Sequence, residues 1–217
     1  MSKLFQSIKI RGEEIKNRSW VSPMCQYSCE DGLANNWHMV HLGSRAVGGS
    51  GLVMTEAAAV TPEGRISPWD LGIWKDEQIK PLKEITKFIK EQNSTPAIQI
   101  AHAGRKASTK RPWDGRGKIT EKDGGWTPKG PSSIAFDNES EVPEELSSDE
   151  IQHTIKSFVK AAERSIEAGF RCIELHMAHG YLAHEFFSPI SNTREDKYGG
   201  NIENRTFFGV EFCSFMN

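Results

Sequence analysis

An alternation constrains this chain most: a short apolar, β-rich run followed by a stretch of helical periodicity, repeated four times in 217 residues. Trp20-Val21-Ser22-Pro23-Met24 opens the series and Gly51-Leu52-Val53-Met54-Thr55 is the second run. Ala97-Ile98-Gln99-Ile100 is the third, and Phe170 to Leu175 the fourth, after a helix that stops at Gly169. Near-continuous apolar runs are what parallel strands covered on both faces require. Between them the spacing predicts helices. One runs from about Trp37 to Val47 and ends at Gly48-Gly49. Another spans Asp76 to Gln92, with Ile79, Leu82, Ile85, Phe88 and Ile89 on one face. A third is opened by the capping box Ser147/Glu150, with Ile151, Ile155, Phe158, Val159, Ala162 and Ile166 inward, and a fourth is expected to start near Glu203.

Two α/β architectures fit such an alternation, a doubly wound sheet and a TIM (β/α)8 barrel. Ile8-Lys9-Ile10 and Glu14-Ile15-Lys16, flanking Arg11-Gly12-Glu13, predict a hairpin that plugs one end of the structure, which favours the barrel. A complete barrel takes eight units in about 250 residues. The expectation is therefore an incomplete barrel, the first four βα units plus the hairpin, in a single domain over 1–217. The segment 101–146 far exceeds the usual connection of about 2–6 residues, and reads as a functional surface excursion anchored by Trp113 and Trp126.

Lys plus Arg total 27 against 29 Asp plus Glu, net charge -2, which gives no electrostatic case for a nucleic-acid partner or an anionic membrane. A small-molecule partner is expected. Met1 to Ile10 lacks the apolar stretch of a leader, and nowhere do about 18 apolar residues run together, so a cytoplasmic protein is expected. Cys25, Cys29, Cys172 and Cys213 form no paired C-x-x-C set and read as reduced thiols.

The fourth run ends in chemistry: Glu174-Leu175-His176-Met177-Ala178-His179-Gly180-Tyr181. At a strand exit, His176 and His179 could aim two ring N–H groups at one carbonyl oxygen that gains negative charge, an oxyanion hole built from side chains. With His184 nearby, a metal site is the alternative, and a structural pair the other. Tyr181 carries a phenol of ordinary pKa about 10, able to donate a proton at neutral pH, against the alternative of a buried, satisfied tyrosine. Ser22-Pro23-Met24-Cys25-Gln26-Tyr27 ends the first strand on the same face of a barrel. There Cys25 could tune a cofactor or pack as a small apolar group, and Tyr27 would be a second phenol over the site. Gln99 is a carboxamide inside an apolar strand, which needs a hydrogen-bond partner in a cofactor or the backbone. Arg105-Lys106 reads as a solvated face, and the His38-Met39-Val40-His41 pair as structural. No dinucleotide-binding glycine fingerprint, phosphate-binding P-loop or serine nucleophile elbow appears.

Those segments, with Ile98-Gln99-Ile100-Ala101-His102-Ala103-Gly104-Arg105-Lys106 and Tyr198-Gly199-Gly200-Asn201-Ile202-Glu203-Asn204-Arg205, together resemble the old yellow enzyme family. The resemblance is to its branch with a cysteine at the first strand's exit, and runs from about Lys3 to Phe208. It implies a TIM barrel holding FMN noncovalently, reduced by NADPH or NADH, that passes hydride from flavin N5 to the β-carbon of an α,β-unsaturated carbonyl compound. Carried over by position, Ser22, Pro23, Met24, Cys25, Ala57 and Gln99 would contact FMN. His176 and His179 would hold the substrate carbonyl, Tyr181 would protonate the α-carbon, and Tyr27 would help position the substrate.

The resemblance also implies four further strands, bearing an arginine that faces the flavin and the loops that grip its phosphate. The tail Gly209 to Asn217 loses the charged amphipathic pattern expected of its helix, so the chain reads as C-terminally truncated. Half a barrel leaves two open parallel edges and is expected to self-associate or to pair with a full-length homologue. An inactive fragment acting only as a binding partner is the alternative to an ene-reductase.

Overall fold

The computed structural model describes residues 2–215. Its first ordered segment is the hairpin expected from the alternating N-terminal residues. Ile8–Ile10 (β1) pairs antiparallel with Glu13–Ile15 (β2), and Arg11 takes a left-handed conformation at φ 51° to close the turn. Trp20–Val21 (β3) is shorter than the run predicted to Met24. Pro23 has no N–H to continue a ladder, so the chain leaves the sheet just before it. Asn36–Val47 (α1) is capped by Asn35, whose side chain accepts from the Trp37 N–H at 2.9 Å.

Leu52–Ala59 (β4) is buried along its whole length and extends well past the predicted Thr55. Ile79–Glu91 (α2) follows a 3-10 turn over Asp76–Gln78, so the α-helix proper begins three residues later than the acids suggested. Thr95–Ala101 (β5) leads into the long excursion, which contains a 3-10 turn at Gly104–Lys106, another at Glu121–Asp123, and the two-residue parallel pair Lys129–Gly130 (β6) and Glu144–Glu145 (β7). Trp126 anchors it as expected, donating from Nε1 to the Glu63 carbonyl at 2.9 Å under the Arg65 guanidinium. Trp113 does not: it is 63% exposed and meets the rest of the protein through the edge of Tyr27.

Ser148–Glu167 (α3) starts at the predicted capping box, with both reciprocal hydrogen bonds formed between Ser147 and Glu150. Its inward stripe turns through Ala161, Ala162 and Ser165, which leaves Ile166 exposed against expectation. Cys172–Leu175 (β8) follows, then Leu182–Phe187 (α4) and Ile202–Phe215 (α5). Although α5 lacks a charged face, Phe208 and Phe212 lie one turn apart and dock inward. Their rings stack on Phe186 at 4.4 Å and Phe158 at 4.9 Å respectively. Met216 and Asn217, at the end of the tail, lie outside the described residues.

The main sheet has the order β3-β4-β5-β8, all parallel, and helices follow each strand. One core fills the space between sheet and helices, including Val53, Ala58, Ile98, Ile100, Leu82, Ile85 and Phe158. A second joins Ile15 and Ile8 of the hairpin to Leu52, Met54, Ala97 and Cys172 on the other face, near the strands' N-terminal ends. The hairpin therefore plugs the end opposite the strand exits. Register along β4 slips between Met54, opposite Ala97, and Ala57, opposite Gln99, so three residues on β4 span two on β5. That bulge turns Glu56 toward α1 while Ala57 returns to the inner face. No helix among the described residues is long and apolar enough to cross a membrane.

Candidate active site

The strand exits gather nearly every side chain that the sequence nominated. The His176 N–H extends the β5–β8 ladder by donating to the Ile100 carbonyl at 3.0 Å, which fixes that ring at the sheet's end. His179 (φ 58°) and Gly180 (φ 74°) then take left-handed conformations that fold the chain back. The His176 ring lies 5.1 Å from that of His179 and 5.0 Å from that of Tyr181, edge-on to both. Burial, reinforced by His179 and Lys106 and opposed by Glu174, pushes the His176 pKa down. A neutral imidazole with one N–H results. Burial also pushes the Tyr181 phenol up to about 12, helped by Cys25 and Asp70, so it holds its proton throughout the neutral range.

Beyond β3, Ser22 and Met24 are exposed while Pro23 and Cys25 are partly covered. Burial first, then Asp70 and Glu56, raise the Cys25 thiol to about 12, against hydrogen bonds from Tyr27 and the Ala57 backbone. It is a neutral thiol touching the strand that carries Ala57. Burial likewise raises Tyr27, which hydrogen-bonds Cys25 and feels Tyr181. Glu56 holds this segment in place: Oε2 accepts the Gln26 N–H at 2.8 Å and Oε1 meets His38 Nε2 at 3.1 Å. His38 is structural, as its sequence context suggested, but what it supports is the site.

Ala57, Gln99 and Glu174 stand in one row across β4, β5 and β8. The partner of the buried Gln99 carboxamide is Glu174, whose Oε1 accepts from Nε2 at 2.5 Å, rather than the backbone. Two residues before His176, which continues the ladder just past β8, Glu174 shares its face, a period-two relation legible in the sequence but not drawn from it. Ala57, Ala59, Ala101 and Ala103 line a narrow cleft with Gly64, Ile66, Asp70 and Tyr181. A floor of small side chains beside a carboxamide and a thiol suits a flat heteroaromatic ring with donor and acceptor edges. Next to it, Tyr181 and Ile66 line a cleft of about 770 Å³ together with Lys106, Pro112, Phe136 and Ser140 of the excursion. That volume lies within the range of small-ligand sites.

The metal alternative gains nothing from the geometry. His184 Nδ1 accepts the Gly180 N–H at 2.8 Å, and among the described residues no three-ligand set includes His176, His179 or His184. The set that does form, Cys29, His38 and Glu56, is buried and knit by its own hydrogen bonds, with His38 Nδ1 further accepting the Asn35 N–H at 3.1 Å.

Besides Glu174, sequence reasoning missed three residues. Lys106, expected on a solvated face, donates to the His179 carbonyl at 3.0 Å, and its neighbour Arg105 bonds the carbonyls of Ile134 and Ala135. Glu185 is buried against the Gly104 turn. Asp70 is raised by burial to about 7, although it accepts from Ser67 Oγ and the Ile66 N–H. Only the Asp70 position carries a local signal, a carboxylate three residues after a serine.

A pH experiment tests this buried electrostatics. His102, pressed to about 4 by burial, is neutral when folded, so its contribution to stability is present above the unfolded value near 6.5 and lost as pH falls toward 4. Asp70 has the opposite sign: its folded pKa is raised, so its contribution is present at low pH and lost as pH rises through about 7. The contribution is about 3 kcal/mol for His102 and about 4 kcal/mol for Asp70. Asp70→Asn is therefore expected to steepen the loss of stability between pH 7 and 4, read as urea midpoints; parallel profiles for parent and variant would refute the assignment.

Residues 3–214 match the NADH:flavin oxidoreductase / NADH oxidase family. An NADPH dehydrogenase of Bacillus cytotoxicus is 50% identical over 209 residues, covering 95% of this chain and 56% of its own length. An NADH:flavin oxidoreductase of Gibberella zeae is 47% identical over 219 residues, covering 99% and 53%. Among solved structures, the old yellow enzyme from Pichia sp. superposes with TM-score 0.85 at 29% identity, over 98% of this chain and 55% of that one. Morphinone reductase in complex with tetrahydroNAD does so at 0.85 and 26%, over 99% and 60%. The chain thus spans about half the length of the curated relatives it matches. The fold is that of the α/β-barrel flavoenzymes, and the chain belongs to the FMN-linked NADH:flavin oxidoreductase family that includes the old yellow enzymes.

Proposed function

We propose that this chain carries the flavin floor and the substrate-binding face of a cytoplasmic, FMN-dependent NADPH oxidoreductase that reduces the C=C bond of α,β-unsaturated carbonyl compounds. The observation that supports it most directly is the meeting of two imidazoles and a phenol, rings 5.0 and 5.1 Å apart, beside a floor of small side chains. Bound FMN would supply a hydride to the β-carbon, after reduction by NADPH. Ala57 leaves room for the ring, Gln99 offers its carboxamide to the pyrimidine edge, and Ser22, Pro23, Met24 and Cys25 flank it. His176 and His179 donate to the carbonyl oxygen, which draws electron density from the β-carbon and stabilises the negative charge that develops on the oxygen. Tyr181 delivers the proton to the α-carbon, and Tyr27 bounds the substrate from the far side. Names of relatives favour NADPH as the reductant.

Purifying the chain with excess FMN and titrating NADPH with a cyclic enone tests the proposal: bound flavin absorbance and enone-dependent NADPH oxidation are expected. Neither appearing would reject activity for this chain and favour an inactive binding partner. That second reading rests on the sheet, where β3 and β8 each pair on one side only among the described residues. Parallel edges left open are sites of association, so we expect a dimer or larger species, or capture of a full-length homologue, in light-scattering chromatography. A clean monomer that binds no homologue would refute it.

A further inference from the structure

We propose that Lys106 is a positioning residue that clamps the turn bearing His179 and Tyr181. The inference deepens the reading of that turn as substrate-binding and rests on it. Lys106 ends the 3-10 turn Gly104–Lys106 that follows β5, and that turn is fixed from below. Gly104 has φ 59°, and a Cβ there would overlap the Glu185 carboxylate. Glu185, buried on α4, accepts the Arg105 N–H at 2.9 Å. The lysine stem therefore leaves a rigid base.

Its ammonium group goes to a main-chain carbonyl, that of His179, at 3.0 Å. It also lies 5.0 Å from the Tyr181 ring centroid and 4.6 Å from that of Phe136. One cation thus touches both sides of the turn, at a non-glycine residue held in the left-handed region and at the ring that would deliver the proton. Held this way, His179 and Tyr181 keep their spacing to His176 before any ligand arrives. The charged and titratable groups facing His176 are His179, Tyr181, Glu174 and Lys106, and of these Lys106 and His179 disfavour its protonation.

The test uses the full chain without FMN, by amide exchange and histidine titration in NMR, on Lys106→Met, Lys106→Gln and Lys106→Arg. In Lys106→Met the Gly180 and Tyr181 amides are expected to exchange at least about tenfold faster, and the His176 titration midpoint to rise. Lys106→Arg should restore both toward the parent. Lys106→Gln, a neutral donor, should keep more of the amide protection while the midpoint still rises. Unchanged exchange and midpoint in Lys106→Met, or Lys106→Arg behaving like Lys106→Met, would overturn the proposal. Should Lys106→Met fail to fold by circular dichroism, the Gln and Arg variants decide, and equal midpoints in the two overturn it. Because neither readout involves turnover, a failure of the reductase reading would show separately as absent NADPH oxidation.

Discussion

Tyr181→Phe is expected to lower enone turnover by about 10²- to 10⁴-fold, the range over which a positioned general acid acts. The substitution removes one oxygen and little else. The phenyl ring keeps its edge-on packing against His176 and its place under the Lys106 ammonium, so the turn should not move. Carbonyl binding depends on the histidines, and KM should change far less than kcat. With the phenol held at about 12, the parent rate should show no step from Tyr181 anywhere in the neutral range. Steady-state kinetics of the FMN-loaded chain check this, and a variant as fast as the parent would remove Tyr181 from proton transfer.

Gly104→Ala is the largest expected loss of stability, about 2–5 kcal/mol. Part is conformational: a Cβ at φ 59° is disfavoured by about 1–2 kcal/mol. The rest is steric, since the new methyl would meet the buried Glu185 carboxylate, which holds the Arg105 N–H and would strain that bond on moving aside; overpacking of this kind adds about 1–3 kcal/mol. Gly49→Ala is the control, because Gly49 has φ 95° but open space within 4 Å of the added atom. Urea denaturation of both variants separates the two contributions. Equal losses would mean that Glu185 yields freely and does not brace the turn.

Much of the fold could be read from local pattern because local physics decided it. The capping box at Ser147 and Glu150 and the amphipathic face of Ile79, Leu82, Ile85 and Ile89 depend only on neighbours a turn away. The hairpin before the first core strand was legible for the same reason. His176, His179 and Tyr181 were nominated because three polar rings at the end of an apolar run have little reason to be there otherwise. What escaped depended on residues distant in sequence. Gln99 finds Glu174 across 75 residues, and Lys106 finds the His179 carbonyl across 73. Nothing near Lys106 distinguishes it from a surface lysine. Trp113 was misjudged because size alone suggested burial, whereas the excursion leaves most of its ring in solvent.

The extra residue in β4 acts as a phase shifter between the molecule's two halves of chemistry. Upstream of it the strand's alternation serves the hairpin core through Leu52 and Met54; downstream it presents Ala57 inward and lends Glu56 to His38. Pairing this strand in regular alternation with all its residues kept would set Glu56, not Ala57, opposite Gln99 and move everything after it by one place. A carboxylate would then jut into the space reserved for the ring, and His38 would lose its anion. Any attempt to idealise this strand by design should leave that irregularity untouched.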